Sequence, residues 1–176
     1  MLLLGRIEPY KGVFDLIDAA RSVRAPGAEV RIVGAARPEM RDRIASMVDA
    51  RTDGGARVTY DLRAVSDEEM VREITEAEVV ALPYRDAGNG NSGVALVALS
   101  LNRPVLVYRS CIMEELADGV GREWVHMMDR PIAGECIDDV LSGGGHHMGE
   151  QPNMTGRNWS AIASAYANVF RKVLRR

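Results

Sequence analysis

Short apolar runs alternate along this chain with longer segments whose apolar side chains recur at helical spacing. Met1–Gly5 predicts a buried strand, and Val13, Leu16, Ile17, Ala20 and Val23 then mark one face of a helix that ends at Pro26-Gly27. Glu29–Val33 predicts a second strand, closed by Gly34, and Pro38 to about Ala50 a helix with proline in its first turn. After the Asp53-Gly54-Gly55 turn comes a short strand, Arg57–Tyr60, then Ser66-Asp67-Glu68-Glu69 with the form of a capping box. Glu78–Pro83 predicts a strand that is apolar throughout. Ser92–Leu101 is apolar almost all round and predicts a buried helix. Pro104–Tyr108 and Glu123–Met128 predict two further strands, Ile112–Ala117 and Pro131–Leu141 two further helices, and Ser142–Pro152 a Gly-rich loop. A last helix carries Trp159, Ile162, Ala163, Tyr166, Phe170 and Val173 on one stripe. Repeated β-α units with wholly apolar strands place the chain in the α/β class, as a Rossmann-like doubly wound parallel sheet covered on both faces. Such folds bind ligands at the carboxyl ends of their strands.

Composition narrows the function classes. The 176 residues are 47% hydrophobic and 27% charged, enough for one domain with a real core. A net charge of −3 argues against nucleic acid as a partner. Arg171, Lys172, Arg175 and Arg176 form a basic end that suits a helix C-terminus, with anionic-membrane contact the weaker option. Cys111 and Cys136 stand far apart without a CxxC pattern, which predicts reduced thiols and a cytoplasmic location. No apolar stretch has the length of a membrane span. The abrupt opening on a core strand leads to the expectation of a C-terminal domain within a longer protein.

Two segments carry candidate chemistry. In Gly5-Arg6-Ile7-Glu8-Pro9-Tyr10-Lys11-Gly12 a strand end is followed by two cations five residues apart and then by a helix. Only two lysines occur against twenty arginines, so Lys11 stands out at this turn. The pattern suits a diphosphate, which needs fixed positive charge and backbone N–H groups; an ordinary solvated loop is the competing reading. In the second segment, Pro83 to Val94, a buried strand enters a loop of small and polar residues. Ser92 then has the form of an N-cap with Gly93 in the first turn. Free N–H groups at that helix start would complete a phosphate site. Tyr60-Asp61-Leu62 follows a strand and is a candidate bed for a nucleotide base, with a plain loop as the alternative. Asp15 and Asp18 read as a solvated helix face. His146-His147 lacks a third ligand at metal spacing and reads as loop. No G-x-G-x-x-G occurs, which disfavours a nicotinamide cofactor.

Taken together, these segments resemble the donor domain of retaining GT-B glycosyltransferases of family 4. Gly5 to Gly12 is similar to that family's G-R-[hydrophobic]-x-x-x-K-G opening. Arg31-Ile32-Val33-Gly34 resembles its strand ending in glycine, and Val79 to Tyr84 its apolar strand ending in proline. Ser92 to Val105 resembles its helix leading into Pro-Val, and Glu115-Leu116-Ala117-Asp118-Gly119 its E-L-x-x-G segment. The resemblance implies one half of a GT-B fold, with residues 1–176 as a nucleotide-sugar (donor) binding domain and a separate N-terminal acceptor domain. It implies a UDP- or GDP-hexose as donor substrate, no other cofactor and no metal requirement. Arg6 and Lys11 would stabilise the leaving diphosphate. Gly5, Gly34, Tyr60, Asn89, Asn91, Ser92, Gly93, Val94 and Val97 would form the binding surface, and the parent protein would make peripheral contact with the inner membrane.

In one respect the chain departs from the pattern. The family's E-x7-E glutamates fall, when aligned on Pro104-Val105, at Asn89 and Val97. Valine accepts no hydrogen bond from a ribose hydroxyl, so that contact is lost or made elsewhere. The missing pair supports the alternative of a degenerate, non-catalytic GT-B module; a GT-B sugar-nucleotide epimerase, which shares the architecture, is the other alternative, though acid/base carboxylates and histidines are thin here.

Overall fold

The computed structural model describes residues 1–50, 54–85, 92–129, 131–143 and 151–157, with positions 163, 164, 167 and 171 beyond them. Six strands, β1 (Leu2–Leu4), β2 (Glu29–Val33), β3 (Arg57–Asp61), β4 (Val80–Leu82), β5 (Val105–Tyr108) and β6 (Val125–Met128), form one sheet in the order β3-β2-β1-β4-β5-β6. Every pairing is parallel, with Leu2 opposite both Arg31 and Val80. The α/β, Rossmann-like expectation therefore holds.

Alternation along the strands explains why both faces are covered. Leu3, Ala81, Leu106 and Tyr108 face one core with Ile32, where α1 (Val13–Ala19), α2 (Pro38–Asp49) and α6 (Gly134–Ser142) contribute Leu16, Ile17, Ile44 and Ile137. Leu2, Leu4, Val80, Leu82, Val105 and Val107 face the other. There α3 (Asp67–Glu76), α4 (Gly93–Ser100) and α5 (Cys111–Val120) contribute Ile74, Ala98, Leu99 and Leu116.

Several boundaries differ from the sequence expectation. Helix α5 runs to Val120, beyond Ala117, until Gly121 at φ 111° ends it. Strand β6 begins at Val125 because Arg122–Trp124 forms a 3-10 turn. Helix α6 begins at Gly134, since the Ile132 N–H is drawn to the Tyr108 hydroxyl at 3.2 Å. Helix α4 is less buried than its composition suggests. Only Ala95, Ala98 and Leu99 are buried, while Val94, Leu96 and Val97 are half-buried. One face packs on the sheet, and apolar composition alone does not say whether the rest is covered. The Ser66 capping box forms as expected: Glu69 N–H donates to Ser66 Oγ at 3.2 Å and Ser66 N–H to Glu69 Oε2 at 2.8 Å. The cysteines are free thiols, Cys111 exposed and Cys136 half-buried. In the last segment Ala163 is helical, whereas Trp159, Ile162, Tyr166, Phe170 and Val173 lie outside the described residues, as do His146 and His147.

Candidate functional site: the crevice between the first and fourth strands

Strand order reverses between β1 and β4, because β2 lies on one side of β1 while the chain later resumes on the other. Connections from adjacent strands then leave in opposite directions and open a crevice at the carboxyl ends. The two segments with candidate chemistry are the loops that border it.

The first loop is built by glycines. Gly5 has φ 106° and donates its N–H to Val33 O at 3.0 Å; Gly34 has φ 137°, and a Cβ there would lie 2.1 Å from Gly5 O. Two backbones thus touch where β1 and β2 end. Pro9–Lys11 then forms a 3-10 turn, and Gly12 at φ 70° starts α1. A Cβ on Gly12 would lie 2.2 Å from Pro83 O, so the first loop is pressed directly onto the end of β4.

The second loop is fastened to the first. Arg85 N–H donates to Tyr10 O at 2.6 Å, and the rings of Tyr10 and Tyr84 meet edge to face, 5.9 Å between centroids. Arg85 also grips Asp15 through both carboxylate oxygens, Nε to Oδ2 at 2.7 Å. Asp15 is therefore a latch between α1 and the β4 loop and not part of a solvated face, a contact between residues seventy positions apart. Asp18 does remain at the surface, 3.4 Å from Arg21.

Lys11 differs most from its sequence expectation. Its place in the turn predicts an exposed loop, but only 8% of its surface is accessible. Its Nζ lies 5.4 Å from the centre of the Tyr84 ring and 3.0 Å from where a Cβ on Gly5 would stand, with Val94 beside that same point. The β1 loop, the β4 end and the first turn of α4 therefore converge on one ammonium. Among the described residues it has no hydrogen bond and no ion pair. Burial pushes its pKa below the ordinary lysine value, and the charge of Glu8 pulls it partly back. Arg6 behaves differently: its side chain is 70% exposed and its Nε sits 2.8 Å from Glu8 Oε1.

Ser92 caps α4, accepting from Ala95 N–H at 3.4 Å. It also hydrogen-bonds Tyr84, whose pKa is raised chiefly by burial. Gly93 is exposed, with nothing within 4 Å of where a Cβ would stand, so packing does not require glycine there. A groove of about 490 Å³ continues from Gly5, Arg6 and Gly34 along Ala35, Ala36 and Arg37 to the start of α3. Tyr60 is not on its wall: it lies inside β3, opposite Ile32, 40% exposed. Val97, within α4, packs half-buried against the core. Asn89 and Asn91 lie outside the described residues. Glu8, Arg37 and Asp67 escaped the sequence reading. Glu8 could have been found from its place between two singled-out cations; nothing local marks Arg37 or Asp67. Among the described residues no group of three or more metal-ligating side chains occurs.

Residues 1–135 match the family described as Glycosyl transferases group 1. The chain belongs to this family. It is 34% identical over 179 residues to a GDP-mannose:glycolipid 4-beta-D-mannosyltransferase of Xanthomonas campestris pv. campestris, covering 99% of this chain and 49% of that protein. The chain thus spans about half the length of the curated relatives it matches. Sucrose-phosphate synthase from Thermosynechococcus elongatus superposes with a TM-score of 0.75 at 21% identity, over 99% of this chain and 45% of that one. A glycosyltransferase of avilamycin A biosynthesis gives 0.66 at 21%, over 99% and 51%. An Anabaena protein solved with UDP-glucose gives 0.61 at 17%, over 81% and 38%. The fold is that of one GT-B glycosyltransferase domain, and no helix among the described residues is long and apolar enough to cross a membrane.

Proposed function

We propose that this group 1 glycosyltransferase chain is the donor-binding half of an enzyme that transfers a hexose from a nucleoside diphosphate sugar, with GDP-mannose the foremost candidate. The observation that carries this reading is Lys11. A cation held out of water, with no ion pair or hydrogen bond among the described residues, sits at the crevice of a Rossmann-like sheet. Such a group gains most when an anion arrives, because its own hydration is already lost and the local dielectric is low. The diphosphate would lie between Lys11, Arg6 and the first N–H groups of α4, at Gly93 and Val94.

As the bond from the anomeric carbon to phosphate breaks, negative charge grows on the departing diphosphate. Preorganised donors stabilise that charge more than the ground state, and loss of one such donor costs roughly 3 kcal/mol in other enzymes. The fixed cations let this happen without a metal in the proposed mechanism. The acceptor would come to the other half of the protein. A glycolipid acceptor, as named for the Xanthomonas relative, would bring the whole protein to a membrane surface, with the donor drawn from the cytoplasm.

Stereochemistry is where that relative departs from the family-4 resemblance. Retention is what the resemblance implies. GDP-mannose is an α-glycosyl phosphate, so a β-mannosyl product requires inversion. The half-buried valine at position 97, in place of a carboxylate, also departs from the retaining pattern. Inversion is therefore the outcome proposed for the full-length protein, to be read from the anomeric configuration of its product by NMR.

Calorimetry of the chain with GDP, UDP and ADP, each in EDTA, tests the underlying reading. Binding of at least one without metal is expected. No heat with any of the three would overturn it.

A further inference from the structure

One edge of the sheet is open and complementary to itself. β3 is the outermost strand, paired on one side with β2 and on the other with no strand among the described residues. Arg57 N–H donates to Ala28 O at 2.8 Å, and Asp61 O accepts from Gly34 N–H at 2.9 Å. Alternation therefore turns the backbone groups of Arg57, Thr59 and Asp61 towards β2, and those of Val58 and Tyr60 outwards. Open edges are ordinarily blunted by lysine, proline or a bulge. β3 has none of these, and it keeps unbroken register with Glu29–Val33. Its charges stand only at its two ends and are opposite in sign, Arg57 and Asp61. Arg57 is exposed and forms no ion pair among the described residues. Asp61 meets Arg63 through one oxygen, Oδ2, at 3.1 Å. Tyr60, opposite Ile32 and on the same face as Val58, is left 40% exposed.

These features fit a second copy of the same strand. Antiparallel pairing about a two-fold axis at Thr59 sets Val58 opposite Tyr60 of the second copy and Arg57 opposite its Asp61. The outward N–H and C=O groups of Val58 and Tyr60 then bond one another across the axis. On one face each valine meets a tyrosine, an aromatic and β-branched pair favoured between strands; on the other each arginine meets an aspartate. Charge selects this register. Sliding the strands by two residues sets Arg57 against Arg63 in one direction, and in the other leaves Asp61 opposite Gly55. Parallel pairing in register would set like charge against like. We propose that the outer edge of β3 is a homodimer interface that joins two copies into one continuous sheet. The contact is isologous, since the same strand serves both copies. A strand this short buries little surface, so the association is weak and depends on concentration. It is independent of the donor-site reading, because no residue of β3 lines the groove beside Gly5 and Gly34.

Sedimentation equilibrium of the chain, from micromolar concentration to about 1 mM, makes the test. A monomer–dimer equilibrium is expected. Arg57→Asp leaves both ends of the strand acidic and Asp61→Arg leaves both basic, so each alone should raise the dissociation constant about tenfold or more. The double variant Arg57→Asp/Asp61→Arg should recover the original association. An equimolar mixture of the two single variants should associate where neither does alone, because each then meets its opposite. Tyr60→Pro removes an outward N–H and spares the ladder to β2, so it should weaken the dimer without any change of charge. Thermal melts check that each variant is folded; where a charge variant is not, Tyr60→Pro decides. A chain that stays monomeric over the whole range would overturn the proposal. So would a dimer that Tyr60→Pro and both single charge variants leave intact. Recovery in neither the double variant nor the mixture would overturn the antiparallel pairing of Arg57 with Asp61.

Discussion

The two edges of the sheet each carry a groove, and the larger one is at the amino ends. It measures about 540 Å³ against about 490 Å³ at the carboxyl ends. Its walls hold Glu29, Glu73, Glu76 and Glu78 around a single arginine, Arg31. That arginine is already satisfied, with Nε 2.6 Å from Glu73 Oε2 and Nη2 2.7 Å from Glu73 Oε1. An anion would meet four carboxylates there, and the one lining arginine is already paired. At the carboxyl edge the charges are arranged the other way. Lys11 is buried without an ion pair or hydrogen bond among the described residues, Arg37 lines the groove, and glycines bring backbone close to backbone. Volume is thus a poor guide to the site in this molecule. What separates the edges is whether positive charge has been neutralised within the fold.

The largest effect that would break this contrast is at Gly34. A methyl group there would stand 2.1 Å from Gly5 O on a backbone at φ 137°, so Gly34→Ala should cost about 3 kcal/mol. Chemical denaturation measures it, and a near-neutral result would show that the two strand ends can separate freely. Next comes Lys11→Met, which keeps the stem and removes the charge. Nucleotide affinity should fall by about 1.5–3 kcal/mol, the range for a charge-assisted contact. Stability should be unchanged or raised, because a desolvated ammonium disfavours the folded state. The sign follows from its depressed pKa. Charging costs the folded state below that value, and the cost is relieved as pH rises through it towards the ordinary lysine range. A variant that unfolds while wild type does not would make Lys11 a structural residue. The smallest effect belongs to the amino edge. Glu73→Gln should leave nucleotide titrations unaltered and lower stability by about 1 kcal/mol or less, since Arg31 remains partly solvated. Arg31 holds the Glu73 carboxyl below the ordinary range. Its contribution is present above that range and lost as pH falls through the lowered value, so the difference between variant and wild type should vanish in acid. Loss of nucleotide binding in Glu73→Gln would join the two edges functionally and remove the contrast.

Much of the fold was legible in the sequence because burial on both faces forces strands such as Leu2–Leu4 and Val105–Tyr108 to be apolar throughout. The Ser66 cap was legible because both partners lie within one turn. Legibility failed where a contact joins distant segments. Asp15 and Arg85 carry no local mark of their pairing, and the half-covered face of α4 depends on neighbours that composition does not name. Tyr60 lies one residue inside β3, a boundary that sequence alone does not mark.

By itself the sequence determined the alternation of strand and helix, the glycines at Gly5, Gly12 and Gly34, and the pair of cations after the first strand, all set by neighbours a few residues away. Only the tertiary structure decided that these two cations are unlike. Arg6 stays in water against Glu8, whereas Lys11 is closed in by Tyr84, Gly5 and Val94. The physical reason is that desolvation belongs to a place and not to a residue. It arises when loops from two strands meet at the point where the sheet reverses its order, and chain spacing carries no record of that meeting.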